Sequence, residues 1–321
     1  MRPEEQPRTI VILGSTGNQG RGVVEYVLRE PGLEKYLVRA VTRDIKSARA
    51  RQLLEDYQTP DERLSLVTGD VYNAESLENA FSGAYGVFGV TSEHAPRRIE
   101  KEEEMNHELQ AGLNIISAAK LCQVQHFVFS SLPDMKQATN GRFQKLFHMD
   151  NKYIIEQWAK RDLSAVTCLL PVFSSRKRGR PFLSTDPGDK FVEWLDPAYD
   201  MGVFVARVFA LGISKTKNKN YVVAGPKIRM QDFATIFTRV TGQQAIYSPT
   251  TLDGWADMAS EAVGPGFRED IRQMMEWASI MPDDKICYGA LHLAEDPSWE
   301  DLGVRASSFE DWLNRTGWTG P

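Results

Sequence analysis

The chain has little that would commit it to a membrane, a metal or an oxidising compartment. Its three cysteines, Cys122, Cys168 and Cys287, lie far apart and match neither a metal-ligand spacing nor a disulfide framework. A reducing compartment follows, so a cytoplasmic location, with the nucleus as the other option, is the expectation. No apolar run approaches the roughly 20 residues needed to cross a bilayer. Polar residues Met1 to Arg8 lead straight into a strand-like run, so neither a membrane association nor a signal peptide is expected. Excess positive charge is missing too: the net charge is −5. That argues against the broad attraction to phosphates on which nucleic-acid affinity rests, and makes DNA an unexpected partner. Internal repeats and low-complexity tracts are also absent. What remains is 42% hydrophobic and 25% charged residues over a length of 321, the balance of an ordinary globular protein. By length alone it could form one large domain or two modest ones.

The first half is regularly organised. Strand-like apolar runs at Thr9–Leu13, Leu37–Thr42, Leu64–Thr68, Tyr85–Val90, His126–Phe129 and Ala165–Leu170 alternate with helix-like stretches. The stretches are Asn18–Arg29, Lys46–Asp56, Ala74–Phe81, Ile99–Leu121 and Met149–Arg161. Continuous apolar strands alternating with helices predict a parallel sheet covered on both faces. After Pro171 the rhythm breaks into a basic Pro/Gly stretch, a helix at Gly202–Ile213, a strand at Tyr221–Ala224, and then mostly helix. The expected architecture is therefore α/β. A Rossmann-type doubly wound parallel sheet occupies residues 1–173, and a smaller, mainly helical C-terminal cap occupies 174–321, some of it packing back on the sheet.

The strongest motif is Gly14-Ser15-Thr16-Gly17-Asn18-Gln19-Gly20, which follows a strand and opens a helix. That is the context a phosphate-binding glycine turn requires. Gly14 permits the tight turn, Gly17 lets backbone N–H groups approach a pyrophosphate, and Gly20 allows close packing of helix on strand. The helix N-terminus adds partial positive charge. Thr16, Asn18 and Gln19 are further candidates in this cofactor cradle. A glycine-rich turn without ligand is the alternative.

The second strand ends Thr42-Arg43-Asp44. An acid here holds the ribose 2′-OH of NAD, whereas an arginine accommodates the 2′-phosphate of NADP. Arg43 stands at the arginine position with Lys46 close behind, so NADP(H) is the expected cofactor, with Asp44 as the dissenting residue. The third strand ends Gly69-Asp70-Val71 and the fourth Val90-Thr91-Ser92, both at carboxyl ends where ligands bind in open α/β sheets. Asp70 and Val71 are placed at the adenine, Val90 and Thr91 at the ribose.

Together these residues resemble the NmrA-like proteins, including the HSCARG-type NADP sensors, and more distantly the isoflavone-reductase group. The GxxGxxG spacing is similar to that of extended and atypical short-chain dehydrogenases. The resemblance runs through Gly83-Ala84-Tyr85, His126–Ser131, Gly141-Arg142, His148 to Lys152, Leu170-Pro171, Asp200-Met201-Gly202 and Phe309–Leu313. It implies a Rossmann domain, a smaller C-terminal domain and bound NADP(H). Activity is left open, because the family holds co-regulators and redox sensors beside reductases.

Short-chain dehydrogenases use a Tyr-x-x-x-Lys pair on the helix after the fifth strand, and the corresponding residues here are His148 and Lys152. At i, i+4 they share a helix face. Histidine copies the tyrosine poorly: its reference pKa is about 6.5, so beside an ammonium it would tend to be neutral. Lys152 is placed as a ligand of the nicotinamide ribose, and as a proton donor if desolvated, as the isoflavone-reductase resemblance implies. Ser130 or Ser131 would orient a carbonyl oxygen, and Pro171 and Phe173 are further cofactor-binding candidates.

Two departures bear on substrate. Ser174-Ser175 replaces the Phe-Glu-Asn-like stretch that the resemblance leads one to expect, and the connection to Asp200 is shorter. In its place stands Arg176-Lys177-Arg178-Gly179-Arg180-Pro181, with the look of a nuclear-localisation signal or AT-hook, though a solvated basic loop is the simpler account. The run Glu100–Glu104 is read as the opening of the long fourth helix, where acids complement the macrodipole. The leading function is NADP(H) sensing coupled to regulation through a protein partner docked on the C-terminal part. The alternative is an NADPH-dependent reductase or isomerase of a small carbonyl, enone or imine, with Lys152 giving the proton.

Overall fold

The computed structural model describes residues 7–92, 98–172 and 188–320. Phe173, Ser174-Ser175 and the basic cluster at 176–181, singled out above, lie outside these residues. In the first half, strands β1 (Thr9–Ile12), β2 (Leu37–Thr42), β3 (Leu64–Thr68), β4 (Ala84–Gly89), β5 (His126–Ser130) and β6 (Val166–Pro171) alternate with helices. The helices are α1 (Asn18–Arg29), α2 (Ala48–Tyr57), α3 (Ala74–Phe81), α4 (His107–Leu121), the short α5 (Met135–Ala138) and α6 (Phe147–Asp162). Next come β7 (Phe191–Val192), α7 (Tyr199–Leu211), α8 (Ile213–Thr216), β8 (Asn220–Val223), β9 (Ile228–Arg229), α9 (Asp232–Thr241) and α10 (Leu252–Glu261). The chain closes with α11 (Arg268–Ile280), β10 (Lys285–Ile286), β11 (Leu291–His292), α12 (Ser298–Leu302) and α13 (Phe309–Thr316).

Seven strands form one sheet in the order β3-β2-β1-β4-β5-β6-β8, every neighbouring pair parallel. All residues of β4, β5 and β6 are buried, as expected of central strands covered on both faces. One apolar layer joins Ile10, Ile12, Val23, Val27, Met201, Val205 and Phe209; the other joins Val11, Leu77, Phe81, Ile115, Phe127 and Ile155. In the first layer α1 and α7 touch almost backbone to backbone. A Cβ on Gly22 would lie 1.8 Å from the carbonyl oxygen of Ala198, and one on Gly202 would lie 2.6 Å from that of Gly22.

The second half therefore supplies part of the sheet and its cover. The strand expected at Tyr221–Ala224 is β8, in register with β6 through Leu170↔Val222 and Pro171↔Val223. It is drawn in because Tyr221, Val222 and Val223 are apolar on both faces and all buried, which only a sheet position satisfies. Outside the sheet, an aromatic cluster holds the C-terminal helices together. Trp194 meets Phe309 edge-on at 4.9 Å and Trp312 at 5.5 Å between ring centroids. The acidic run also differs from expectation: Glu102–Asn106 forms a 3-10 turn and α4 begins only at His107. Glu104 folds back to accept the Glu100 N–H at 2.8 Å, capping the tighter turn.

Candidate functional site

Strand order reverses between β1 and β4, and in such sheets ligands occupy the crevice at the carboxyl ends beside that reversal. The glycine turn sits there. Gly14 has φ +61, and a Cβ on it would lie 2.9 Å from Val90 Cγ1, so the turn and the end of β4 touch. Gly17 donates to the Gly14 carbonyl at 2.8 Å and is itself exposed. A Cβ on Gly20 would lie 2.2 Å from that same carbonyl oxygen, which fixes glycine at the point where α1 starts. The buried Ser15 hydroxyl donates to Val41 O at 2.7 Å, tying the turn to β2. Thr16 and Gln19 are half-buried and Asn18 is exposed. Gln19 Oε1 is shut off from solvent with no hydrogen-bond partner.

Arg43 and Lys46 are exposed just beyond β2. Asp44 is used locally: its Oδ1 accepts the Lys46 N–H at 2.8 Å and its carbonyl the Ser47 hydroxyl at 2.8 Å. Beyond β3, Asp70 Oδ1 accepts the Tyr72 N–H at 3.0 Å, and the Val71 carbonyl accepts from Asn114 Nδ2 at 2.9 Å. The Tyr72 hydroxyl bonds His107 Nδ1 at 2.6 Å. Its pKa is pushed up to about 12 by burial first, then by the charges of Glu108 and Asp70, against the opposing pull of Arg43. Arg43, Asp70, Tyr72 and the start of α4 thus share one electrostatic neighbourhood.

The centre of the site is a buried ion pair that sequence reasoning missed. Lys152 Nζ lies 2.5 Å from Glu108 Oε1, with side-chain exposures of 9% and 0%. The same oxygen accepts the buried Thr91 hydroxyl at 2.6 Å, so the pair is anchored to the end of β4. Lys152 Nζ also reaches the His148 carbonyl at 3.3 Å. Helix packing explains the meeting. A Cβ on Gly112 would lie 2.4 Å from Ile155 Cγ1, so α4 and α6 pack closely there, and about one turn nearer their N-termini Glu108 faces Lys152. The signal was available. Glu108 heads the buried stripe of α4 with Ala111, Gly112, Ile115, Ile116 and Ala119, and an acid on an apolar helix face needs a partner.

Ser130 is buried at the end of β5 and Ser131 beside it; the Ser131 hydroxyl reaches the Lys152 carbonyl at 3.4 Å. Pro171 ends β6, buried and opposite Val223. The His148 side chain is engaged by the C-terminal helices, while its carbonyl takes the Lys152 ammonium. Its Nδ1 bonds the buried carboxylate of Asp270 on α11, and its backbone N–H donates to Asp270 Oδ2 at 2.9 Å. Its ring packs 5.8 Å from that of Phe267. His148 therefore joins α6 to the C-terminal helices.

A seven-stranded parallel sheet in this order, with a glycine turn at the reversal point, defines a Rossmann-type α/β protein. The NmrA-like family model matches residues 6–286, and the chain belongs to that family. Among curated relatives, it is 26% identical over 341 residues to the NmrA-like family domain-containing oxidoreductase malD of Malbranchea aurantiaca, covering 96% of each chain. It is 28% identical over 307 residues to lnaB of Aspergillus flavus, likewise named an oxidoreductase, covering 85% of this chain and 84% of that one. Among solved structures it resembles NmrA, a negative transcriptional regulator, in complex with NAD (TM-score 0.67, 18% identity, 98% of this chain and 93% of that one). It also resembles Citrobacter sp. triphenylmethane reductase complexed with NADP(H) (TM-score 0.67, 16% identity, 96% and 99%). Among the described residues no group of His, Cys, Asp and Glu could hold a metal ion, and no helix is long and apolar enough to cross a membrane.

Proposed function

We propose that the chain is an NADP(H)-dependent reductase of a polarised C=O, C=C or C=N bond, with Lys152 as the proton donor. The observation that carries this reading is the Lys152 ammonium, buried at the carboxyl edge against Glu108 and one residue from the Val90–Gly14 contact through Thr91. A group that must give up a proton beside a nucleotide needs such a place, close to the reacting atom and away from bulk water. The relatives named oxidoreductases support it over most of the chain's length.

The residues present fit a dinucleotide phosphate. Gly17 offers an exposed backbone next to the turn, and Gly20 leaves no room for a side chain. Gly14, Thr16, Gly17, Asn18, Gln19 and Gly20 would hold the pyrophosphate, and Arg43 and Lys46 the 2′-phosphate. Asp70 and Val71 would flank the adenine, and Val90, Thr91, Ser130, Lys152 and Pro171 the ribose and nicotinamide. When bound, NADPH supplies the hydride. Lys152 holds the proton that the substrate's oxygen, nitrogen or carbon gains as its negative charge develops, and the resulting amine recovers a proton from water. His148, bonded to Asp270, is assigned no proton transfer and instead holds the start of α6.

Nucleotide sensing through a protein partner is the second reading, favoured by the likeness to NmrA, itself a negative transcriptional regulator. One assay separates the two. Saturable NADPH consumption with a panel of quinones, enones, imines and aldehydes, abolished by Lys152→Met in a folded variant, is the expected outcome. If nothing is turned over while NADPH binds, sensing takes its place. If activity survives Lys152→Met but not His148→Ala, the proton donor is the histidine.

A further inference from the structure

We infer that Glu108 is the positioning residue that holds the Lys152 ammonium at the carboxyl edge of the sheet and keeps it protonated there. The inference rests on the reading of Lys152 as proton donor but is tested apart from it. A lysine head taken out of water tends to lose its charge, because burial penalises the ammonium. A carboxylate in contact reverses that tendency, and Glu108 is placed to do so. It is fully buried, its Oε1 lies 2.5 Å from Nζ, and the same oxygen also accepts the Thr91 hydroxyl at 2.6 Å. Its other oxygen is buried and makes no hydrogen bond. All of the carboxylate's hydrogen bonding is therefore spent on Thr91 and Lys152.

The arrangement gives direction as well as charge. Thr91 ends the β4 side of the reversal point, where Val90 touches Gly14. Tethering Nζ to Glu108 and Glu108 to Thr91 fixes the ammonium relative to the glycine turn rather than to α6 alone. The other ionisable groups around the pair have duties of their own. His107 takes the Tyr72 hydroxyl at 2.6 Å, His148 bonds Asp270, and Glu156, one turn further along α6, takes Lys160 at 2.7 Å. Among these, Glu108 is the acid in contact with the lysine head.

The test is competitive acylation of lysines in the full-length protein across a pH series, with the Lys152 peptide read by mass spectrometry. Only the neutral amine reacts, so the midpoint of labelling reports Lys152 protonation with no substrate and no turnover. We expect Glu108→Gln to lower that midpoint by about one pH unit or more, the size of effect an adjacent opposite charge exerts. Glu108→Asp, which keeps the charge but withdraws it by one carbon, should fall between Gln and the unmutated protein. It also answers the question if Glu108→Gln does not fold. An unmoved midpoint in the folded variants overturns the inference. The alkaline limb of NADPH consumption should move down by the same interval. A labelling shift with no turnover in any variant leaves Glu108 as the holder of Lys152 and removes the reductase reading instead.

Discussion

Substituting Gly17 and Gly20 in turn by alanine separates nucleotide binding from folding within one motif. At Gly17 the backbone is extended, φ −89 and ψ 178, which any residue adopts. Among the described residues, the only atom near an added Cβ is the Gly14 carbonyl oxygen at 3.1 Å. Gly17 also caps α1, where glycine and alanine differ by about 1 kcal/mol or less. Gly17→Ala should therefore fold with a Tm within a few degrees of the unmutated protein. Its methyl, however, stands on the exposed surface that a pyrophosphate must approach. Loss of one charge-assisted N–H bond is worth roughly 1.5–3 kcal/mol, or about ten- to a hundredfold in Kd for NADPH. At Gly20 the added Cβ would lie 2.2 Å from Gly14 O, 2.5 Å from its carbon and 2.9 Å from Leu13 O. Backbone must move to relieve that, and overpacking of this kind costs about 1–3 kcal/mol or more. Gly20→Ala should lose both stability and binding. Calorimetric titration with NADPH beside thermal unfolding measures the pair. A Gly17→Ala protein that binds NADPH as tightly as the unmutated chain refutes the assignment of this turn to the pyrophosphate.

Cofactor choice should follow Arg43. NADPH is expected to bind at least about tenfold tighter than NADH, with Arg43→Ala removing most of the gap, since a phosphate–guanidinium contact is charge-assisted; equal affinities in the unmutated protein contradict it. The pH dependence of stability should carry the mark of His126, whose pKa burial pushes down to about 4. The unfolded chain binds that proton near pH 6.5 and the folded one does not. The histidine's contribution is thus complete above about pH 6.5 and lost as pH falls toward 4, up to about 3 kcal/mol. Asp200 acts in the opposite sense: burial pushes it up to about 6, so its contribution is present below its unfolded pKa and lost as pH rises through 6. Urea unfolding of His126→Phe between pH 4 and 7 should lose the acid-side fall and keep the opposing slope, and a profile identical to the unmutated protein's tells against it.

What was legible in the sequence was what local pattern encodes. The runs ending at Thr42 and Thr68 match β2 and β3, and Asn18–Arg29 and Ala74–Phe81 match α1 and α3, because the strands are short, mostly apolar runs and the helices bury one apolar face, each bounded by turn residues. The glycine turn was readable because strand, spacing and helix agree within a few residues. Contacts between distant segments were not. Glu108 and Lys152 are 44 residues apart, and His148 and Asp270 are 122 apart. Neither pair leaves a spacing signature, since each depends on how closely two helices pack. β8 escaped assignment to the sheet for the same reason: a buried strand four residues long looks alike whether a sheet or a cap receives it.

These two distant pairs meet on one helix, and that has a consequence for either function. Glu108 on α4 grips Lys152 and Asp270 on α11 grips His148, four residues apart on α6. The grip on the α11 side is reinforced by apolar packing that joins Leu132, Met135, Phe143, Leu146 and Met149 to Trp277 and Met281. The C-terminal helices are thus seated on the N-terminal turns of the helix that carries the buried lysine. A ligand held at the carboxyl edge and a contact made on α11 would both act on α6. Either can shift its position only by the difference in affinity it has for the two positions. A reductase would use the seating to keep Lys152 fixed while substrate is bound, and a sensor would use it to report nucleotide to the C-terminal surface. The two readings share a structural basis and divide on whether the Lys152 proton leaves.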